Sequence, residues 1–217
     1  MKDRIGEIVN AIPVSEVFAD VGCDHGYVAK EMLRRGKCRF AVASDISPKC
    51  LEKAKRLLKK EIDYGRATCV VSDGFDGLYN VDTALIAGMG GEEIISILKG
   101  AEELPENLVL QPMKNCDKVR KFAVSAGYRI ISDYVFESDD KFYNLMVLKK
   151  GEDLLTEEEA EFGRTNLISP SEDFRKMLIK EAEKLTAYAE NSSEEKKKKL
   201  LKKAERLLKY AENRRIF

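Results

Sequence analysis

The chain of 217 residues has no tryptophan, a single histidine and five cysteines, no two of which are spaced as Cys-x-x-Cys. Zinc sites are built mainly from clustered cysteine and histidine ligands, so this composition predicts no metal site. The dispersed cysteines are instead expected to act as small buried apolar side chains. A reducing cytoplasm is therefore the expected location.

Long hydrophobic runs are also missing. No stretch approaches the roughly 20 apolar residues of a membrane-spanning helix. The first residues lead into a mixed segment without the apolar run of a signal peptide. We therefore expect neither a membrane span nor a secretory signal.

The chain has no excess charge of either sign, because 38 basic residues balance 38 acidic ones. Binding to nucleic acid would have to depend on local positive charge. Such charge exists in residues 196–217, with ten basic and two acidic residues, whereas residues 151–195 carry 13 acidic and five basic ones. Lysines such as Lys196, Lys199 and Lys203 either pair with the acidic segment or form a phosphate-binding stripe, and the sequence leaves both readings open.

Short apolar runs alternate with amphipathic segments over the first 150 residues. The runs that predict buried strands are Val17–Val21, Phe40–Ser44, Ala67–Val71, Thr83–Ala87 and Asn107–Gln111. The segments that predict helices are Tyr27–Arg35, Pro48–Lys60, Glu92–Lys99 and Asp117–Ala126. This alternation is typical of an α/β fold in which helices cover both faces of a mostly parallel sheet.

The pattern changes after the fifth strand. Tyr128–Glu137 and Phe142–Leu148 predict an antiparallel edge hairpin, because four residues between them cannot hold a helix. Beyond Gly151 the strand patterns stop, and two helical patterns separated by Asn191-Ser192-Ser193 predict a coiled-coil-like helical hairpin. We therefore expect a first domain at 1–150 and a helical hairpin domain at 151–217. The expected capping boxes are Thr156 with Glu159, Ser169 with Glu172, and Ser192 with Glu195.

The segment Ala19-Asp20-Val21-Gly22-Cys23-Asp24-His25-Gly26-Tyr27 joins the first predicted strand to the first predicted helix. A doubly wound sheet binds nucleotide-like ligands at this position. Gly22 and Gly26 allow a tight turn, but the spacing is not G-x-G-x-x-G. Asp20 and Asp24 would repel a pyrophosphate and suit a ligand with an ammonium group, such as S-adenosylmethionine.

Two more acids follow strands. Asp45 ends the second predicted strand 19 residues after Gly26, close to the ~20-residue offset of an acid that accepts hydrogen bonds from ribose hydroxyls. Asp73, followed by Gly74, ends the third strand, where it can reach an adenine amino group. Either acid alone is an ordinary turn residue, but acids at three successive strand ends predict a cofactor site.

A glycine-rich segment, Gly88-Met89-Gly90-Gly91, follows the fourth predicted strand. Three glycines in four positions indicate a backbone that bends sharply or approaches a ligand, with Met89 at the wall of the site. Gln111-Pro112 ends the fifth strand at the same rim. The single histidine, His25, is either a polar contact at a helix start or a contact to the target base, and both readings stay open.

In this order, DVGCDHGYV, the Asp45 strand end, SDG, IAGMGG and LVLQP resemble the bacterial tRNA (adenine-N1)-methyltransferases that act on position 22, the TrmK family. The resemblance covers the whole chain. It implies a Rossmann-like class I methyltransferase sheet of order 3-2-1-4-5-7-6, S-adenosylmethionine as the cofactor and tRNA as the substrate. One departure is Met113, which stands where the family motif Gln-Pro-Asn has asparagine.

The site residues expected from the motifs and the resemblance fall into three sets. The cofactor set is Asp20, Gly22, Cys23, Asp24, Gly26, Asp45, Ile46, Asp73, Gly74 and Gly88. The substrate set is Gly90, Gln111, Pro112, Lys196, Lys199 and Lys203, and the catalytic set is Asp24, His25 and Met89. No strong general base is needed, because N1 of neutral adenine carries a free lone pair. Asp24 is expected to stabilise the cationic product electrostatically.

Other functions compete with this interpretation. The same fold could methylate a non-RNA acceptor, but no substrate lid is inserted between the predicted strands. A non-catalytic protein-binding module would not need both glycine loops, and a nicotinamide oxidoreductase would need the missing dinucleotide spacing. We expect a monomeric enzyme without a bound metal.

Overall fold

The computed structural model describes residues 3–212, which contain one seven-stranded sheet. Its strands are β1 (Ser15–Val21), β2 (Cys38–Asp45), β3 (Ala67–Val71), β4 (Thr83–Met89), β5 (Asn107–Pro112), β6 (Tyr128–Ser138) and β7 (Lys141–Lys150). They lie in the order β3-β2-β1-β4-β5-β7-β6. The first five strands are parallel, and β7 is antiparallel to both β5 and β6. The predicted fold class, strand order and edge hairpin are confirmed.

The helices of residues 3–212 surround this sheet and extend beyond it. They are α1 (Arg4–Ala11), α2 (Tyr27–Arg34), α3 (Pro48–Leu57), α4 (Lys59–Asp63), α5 (Gly91–Gly100), α6 (Cys116–Ser125), α7 (Glu157–Phe162), α8 (Arg164–Ile168), α9 (Glu172–Glu190) and α10 (Glu194–Glu212). The single helix predicted at 48–60 is wrong, because the chain leaves helical geometry at Leu58 (ψ 8°) and restarts as α4. The first helix, α1, begins after an Asp3 cap and was not predicted from the sequence.

Successive side chains of β1 enter two separate apolar layers, one on each face of the sheet. Phe18 lies in a buried cluster with Ile8 of α1 and Met32 of α2. The next residue, Ala19, lies in a second cluster that includes Ile94 of α5. Successive strand residues point to opposite faces, so both faces of the sheet are covered. Because β1 to β5 are parallel, their carboxyl ends meet at one edge of the sheet, where such sheets bind ligands.

The C-terminal part of the described chain is a helical hairpin, as predicted. Phe174 and Leu178 of α9 share a buried cluster with Ala204 and Leu207 of α10. Arg175, near the start of α9, donates a hydrogen bond to the carbonyl of Ala211, near the end of α10, at 3.5 Å. The two helices are therefore antiparallel. The final five residues of the region expected at 151–217 lie outside the described residues.

One of the three expected capping boxes is present. The Thr156 hydroxyl accepts from the Glu159 N–H, and the Glu159 carboxylate accepts from the Thr156 N–H. The box at Ser169 is wrong, because Ser169 ends α8 and Ser171 caps α9 instead. The box at Ser192 is also wrong. Ser192 lies two residues before α10 begins, and its hydroxyl donates to the carbonyl of Tyr188 in α9.

A buried ion pair, Arg120 with Asp133, fastens α7 and α8 to the sheet. Both side chains are fully buried, and the guanidinium Nε lies 2.9 Å from the Asp133 carboxylate. Arg120 also donates to the carbonyl of Ala160 at 3.0 Å, and Asp133 accepts from the N–H of Thr165 at 2.9 Å. Arg120 of α6 and Asp133 of β6 thus complete their hydrogen bonds with backbone groups of α7 and α8.

Candidate active site

The loop between β1 and α2 is held against β2 by backbone hydrogen bonds. The N–H groups of Gly22 and Cys23 donate to the Ser44 carbonyl at 2.8 and 2.9 Å. Gly22 has a φ of 71°, and a Cβ placed on it would lie 1.9 Å from the Met89 side chain. The positive φ of the turn favours glycine here, and the flexible end of the Met89 side chain occupies the space beside it. Gly26 has a similar φ, 72°, directly before α2.

Asp20 lies beneath this loop and is 5% exposed. Its carboxylate accepts the N–H of Ala29 in the first turn of α2, at 3.2 Å. Burial raises the pKa of Asp20 to about 7; the bond from Ala29 opposes this rise, and the nearby charge of Asp45 adds to it. A buried carboxyl next to a second carboxylate is stabilised in its ionised form by a cation, so this group favours a cationic ligand.

Asp45 stands at the end of β2 and organises the loops around it. One carboxylate oxygen accepts from the Asp24 N–H at 3.1 Å, and the other accepts from the Ser47 N–H at 2.8 Å. Each carboxylate oxygen has a second lone pair, so both retain acceptor capacity. Asp45 can therefore support the loop and accept hydroxyl donors at the same time.

Asp24 adopts a left-handed backbone conformation, with φ 48°, at the exposed side of the loop. Its carboxylate lies 2.6 Å from His25 Nδ1 and 3.5 Å from Lys53 Nζ. Burial acts to raise the pKa of Asp24, but hydrogen bonds from Cys50 and His25 and the neighbouring positive charges outweigh it, so the pKa is lowered. Asp24 is thus a carboxylate anion at neutral pH.

His25 forms an exposed aromatic pair with Tyr27. The two ring centroids are 5.4 Å apart and the planes differ by 14°. The His25 side chain is 37% exposed and Tyr27 is 51% exposed. The geometry provides a flat surface beside the glycine turn, and it is compatible with both sequence readings of His25.

The third strand brings Asp73 and Gly74 to the same edge. The Ser72 N–H donates to the Asp45 carbonyl at 3.1 Å, which joins the ends of β2 and β3. Asp73 is exposed, as is Ile46, so both are accessible to a ligand. Gly74 packs on Ile97 of α5, which a Cβ would approach to 3.0 Å.

The glycine segment interrupts the regular pairing of β4 with β5. The register shifts between Ala87 and Met89, and the intervening Gly88 has φ 81°. The next glycine, Gly90, caps α5. A Cβ on Gly91 would lie 2.6 Å from the Lys114 carbonyl, so the start of α5 packs directly on the backbone that follows β5.

Gln111 is fully buried at this rim rather than exposed. Its amide nitrogen donates to the Pro112 carbonyl at 3.3 Å, and its amide oxygen accepts from Arg4 Nη2 at 2.5 Å. Met113 is 54% exposed, and its sulfur lies 3.4 Å from the Gln111 nitrogen. Gln111 therefore supports the wall of the site. Its partner Arg4, 107 residues away in the chain, was not predicted as a site residue.

The three predicted substrate lysines, Lys196, Lys199 and Lys203, lie on α10 and not at the strand ends. Lys199 pairs with Glu195 of the same helix at 2.6 Å. Lys203 lines a surface cavity together with Arg206 and Lys121 of α6. The cavity also contains Asp117, Glu157 and Glu161, and Lys121 and Arg206 are ion-paired with Glu157 and Glu161, so its charges balance.

The residues at the edge fit S-adenosylmethionine better than a dinucleotide. Four carboxyl groups lie on the β1–β3 side, those of Asp20, Asp24, Asp45 and Asp73. Burial is the main cause of the raised pKa of Asp20, and repulsion by the charge of Asp45 adds to it. A sulfonium and an ammonium group would relieve that repulsion, whereas a pyrophosphate would increase it.

The helices of residues 3–212 include none that combines the length and apolar character of a membrane span. Within the same range, no group of three or more histidine, cysteine, aspartate or glutamate side chains is arranged to hold a metal ion.

Comparison with known proteins identifies relatives along almost the whole chain. Residues 18–212 match the family model described as tRNA (adenine(22)-N(1))-methyltransferase. A curated protein of Mycoplasma pneumoniae is 33% identical over 83% of this chain and 86% of its own length. The Bacillus subtilis tRNA (adenine(22)-N(1))-methyltransferase is 29% identical over 70% of this chain and 66% of its own. The solved structure of TrmK from M. capricolum with S-adenosyl-homocysteine is 25% identical, with a TM-score of 0.86 over 99% of each chain.

Proposed function

Because its residues 18–212 match that family model, the chain belongs to the tRNA (adenine(22)-N(1))-methyltransferase family, and we propose that it transfers the methyl group of S-adenosylmethionine to N1 of adenine 22 in tRNA. The observation that carries the proposal is the edge of the sheet. Acids lie at or just beyond the ends of β1, β2 and β3, and a glycine segment spans the end of β4, at one continuous rim.

We assign the cofactor to the β1–β3 side of this rim. Asp45 would accept hydrogen bonds from the ribose hydroxyls, Asp73 with Gly74 would meet the adenine, and Asp20 would face the cationic amino-acid end. Gly22, Cys23, Gly26, Ile46 and Gly88 would form the walls. Bound S-adenosylmethionine supplies an electrophilic methyl group on its sulfonium.

The protein's own contribution is to align the acceptor and exclude water. Met89 packs on Gly22, which closes one wall of the site. The Asp24 carboxylate, ionised at neutral pH, would stabilise the positive charge that develops on the base. His25, with Gly90 and the Gln111-Pro112 wall, would border the target adenine.

Asp24→Asn tests the electrostatic role. The amide keeps the size of the side chain but removes its charge, so we expect kcat to fall about tenfold or more. Single-turnover methylation of tRNA measures this directly. An unchanged rate at saturating cofactor and tRNA would remove Asp24 from the mechanism.

The position of N1 has a consequence for the RNA. N1 lies on the Watson–Crick edge, so the base must leave its stack to reach the cofactor. The enzyme then has to hold the rest of the tRNA by its phosphates. We assign part of that role to Lys196, Lys199 and Lys203 of α10.

Replacing these three lysines with alanine should weaken tRNA binding and lower its dependence on salt. Removal of one phosphate contact should reduce the slope of log K against log salt by about 0.9 if the bound region is duplex. Filter binding at several salt concentrations gives this slope. The matched control replaces Glu181, Glu183 and Glu190 of α9 with glutamine. If the lysines only form ion pairs within the hairpin, such as that of Lys199 with Glu195, the lysine variant will lose thermal stability but keep the wild-type slope.

The overall function is tested by nucleoside mass spectrometry. The protein is incubated with S-adenosylmethionine and unmodified bacterial tRNA transcripts that carry adenine at position 22, and the RNA is digested. We expect 1-methyladenosine from these transcripts and none from transcripts with guanine at position 22. No methylated nucleoside, with an active tRNA methyltransferase in parallel, would contradict the proposal.

Asp20 makes cofactor binding depend on pH. A bound cation favours the ionised carboxylate, whose pKa in the free protein is raised to about 7. Below that pH, binding must release the Asp20 proton, so the affinity should increase with pH from about 6 and level off near 8. Calorimetry at three pH values measures this, and Asp20→Asn should remove the dependence. Asp63→Asn, at an exposed position on α4, should keep it; a wild-type affinity that is flat across this range would refute the linkage.

The proposal includes the organisation of the protein. We propose a methyltransferase domain at 1–150 and a helical hairpin domain at 151–217, in a cytoplasmic monomer. Light scattering coupled to size exclusion tests the monomer.

A further inference from the structure

Arg4 extends from the start of α1 to the rim formed by β4 and β5. Its Nη2 donates to the Gln111 side chain at 2.5 Å, and its guanidinium lies 5.1 Å from the centre of the Tyr143 ring. A Cβ on Gly88 would lie only 3.1 Å from the same Nη2. Arg4 therefore belongs to the surface of the site, although α1 precedes the residues that match the family model.

The guanidinium of Arg4 keeps unused donors. A guanidinium has five N–H groups, and the bond to Gln111 uses one of them. The Nε atom is buried without a hydrogen-bond partner. Buried polar groups are normally paired, so the guanidinium retains donor capacity that the described residues do not satisfy.

Lys114 lies on the other side of the same glycine segment. Its side chain crosses Gly90, with Cε 3.0 Å and Nζ 4.0 Å from the position of a glycine Cβ. The nearby Glu92 of α5 is paired with Lys118. One cation thus borders Gly88 and a second borders Gly90, two residues further along.

The charges at the rim are divided between its two halves. The ends of β1 to β3 carry the carboxylates that suit a cationic cofactor. Beside the ends of β4 and β5 lie Arg4 of α1 and Lys114, with Glu92, which is paired to Lys118, and Glu93 in the first turn of α5. An acceptor that approaches the second half meets positive charge. In an RNA nucleotide the base is neutral and the phosphates are anionic. The carboxylate half of the rim therefore suits the cationic cofactor, and the half with Arg4 and Lys114 suits a nucleotide phosphate.

We propose that Arg4 and Lys114 bind the phosphates that flank the target adenosine, and thereby hold the extruded nucleotide at the glycine segment. This rests on the proposed function, since it names how that site holds its RNA substrate. Arg4, fixed by Gln111 and Tyr143, is the orienting contact. Lys114, which is exposed, is the adaptable one.

The test uses the full chain with Arg4→Gln and Lys114→Gln, assayed for tRNA methylation across a salt series. We expect the KM for tRNA to rise about tenfold for Arg4→Gln and severalfold for Lys114→Gln. The slope of log K against log salt should fall by about 1 for each variant. The Kd for S-adenosylmethionine should stay within about twofold of wild type. Arg4→Lys keeps the charge and should restore the salt slope but only part of the tRNA affinity, because the forked geometry is lost.

Two controls separate a phosphate contact from a structural effect. Arg35→Ala removes the bond between Arg35 and Asn10, which anchors the other end of α1. Lys60→Gln removes an exposed positive charge on α4. Both should keep the wild-type slope. The proposal is overturned if Arg4→Gln and Lys114→Gln also keep that slope, or if Arg35→Ala changes KM as much as Arg4→Gln. Failure of the proposed function would instead appear as no methylation of tRNA by the wild-type chain.

Discussion

Asp45→Asn should weaken S-adenosylmethionine binding by about 100-fold or more. Hydrogen bonds to a charged group contribute about 1.5–3 kcal/mol each, and the ribose is expected to donate two. The variant also turns an acceptor oxygen into an amide NH2 donor that faces the N–H of Asp24 or Ser47, both of which donate to the carboxylate in the wild type. The loss therefore combines fewer bonds to the ligand with a displaced loop. Isothermal titration calorimetry measures it.

A matched variant isolates the ligand contact from loop support. Asp82 also accepts a backbone N–H, that of Val17, at 2.7 Å, but at the amino end of β4 and so at the opposite edge of the sheet. Asp82→Asn should lose stability without changing the cofactor Kd. A 2′-deoxyribose analogue of S-adenosyl-homocysteine adds a second check, since the penalty of Asp45→Asn should shrink when the hydroxyl is absent. Equal affinities of wild type and Asp45→Asn would contradict the ribose assignment.

Arg120→Ala should lower the free energy of unfolding by about 3–5 kcal/mol. Removing one member of a buried ion pair leaves the other charge desolvated and unpaired. Asp133 is fully buried, and the carbonyls of Ala160 and Glu161 would each lose their donor. Urea unfolding followed by circular dichroism gives the value. Lys59→Ala, which breaks an exposed pair with Asp63, should change stability by less than about 1 kcal/mol.

The double variant Arg120→Met with Asp133→Leu distinguishes charge from packing. Replacing both charges with apolar side chains removes the unpaired ion, so this variant should be more stable than Arg120→Ala alone. A double variant that is less stable would mean that the hydrogen bonds of the pair to Ala160 and Thr165 dominate instead. The cofactor Kd should stay near wild type in both variants at low temperature, because neither residue belongs to the set assigned to the cofactor.

The strands were predictable because burial on both faces makes short continuous apolar runs. Ala67–Val71 has the predicted bounds, and the other buried parallel strands differ by one or two residues at their ends. The hairpin followed from the short polar gap before Lys141. The position of acids and glycines relative to these strands then predicts where the cofactor half of the site lies, since parallel strands present their carboxyl ends at one edge.

The features that the sequence did not predict, namely α1, the cap of α9 and the burial of Gln111, depend on contacts distant in sequence or on competition between neighbouring signals. The amphipathic pattern of α1 extends over only eight residues, too few to distinguish a helix by periodicity, and nothing local connects Arg4 with Gln111. Ser169 and Ser171 are both reasonable helix caps. Ser169 is already used by the preceding helix, where its N–H donates to the Thr165 carbonyl at 2.9 Å, so the next helix starts from Ser171. Burial of Gln111, likewise, follows from packing that a motif cannot reveal.

The position of β7 between β5 and β6 also determines when the sheet can be completed during synthesis on the ribosome. β6 is made before β7, yet β7 is the strand that pairs with β5. When Pro112 has just emerged from the ribosome, β5 therefore has one unpaired edge, and β6 cannot cover it. That edge stays open to wrong partners until Lys150 has emerged, so the interval between these two residues is the stage at which a nascent chain most needs protection by a chaperone.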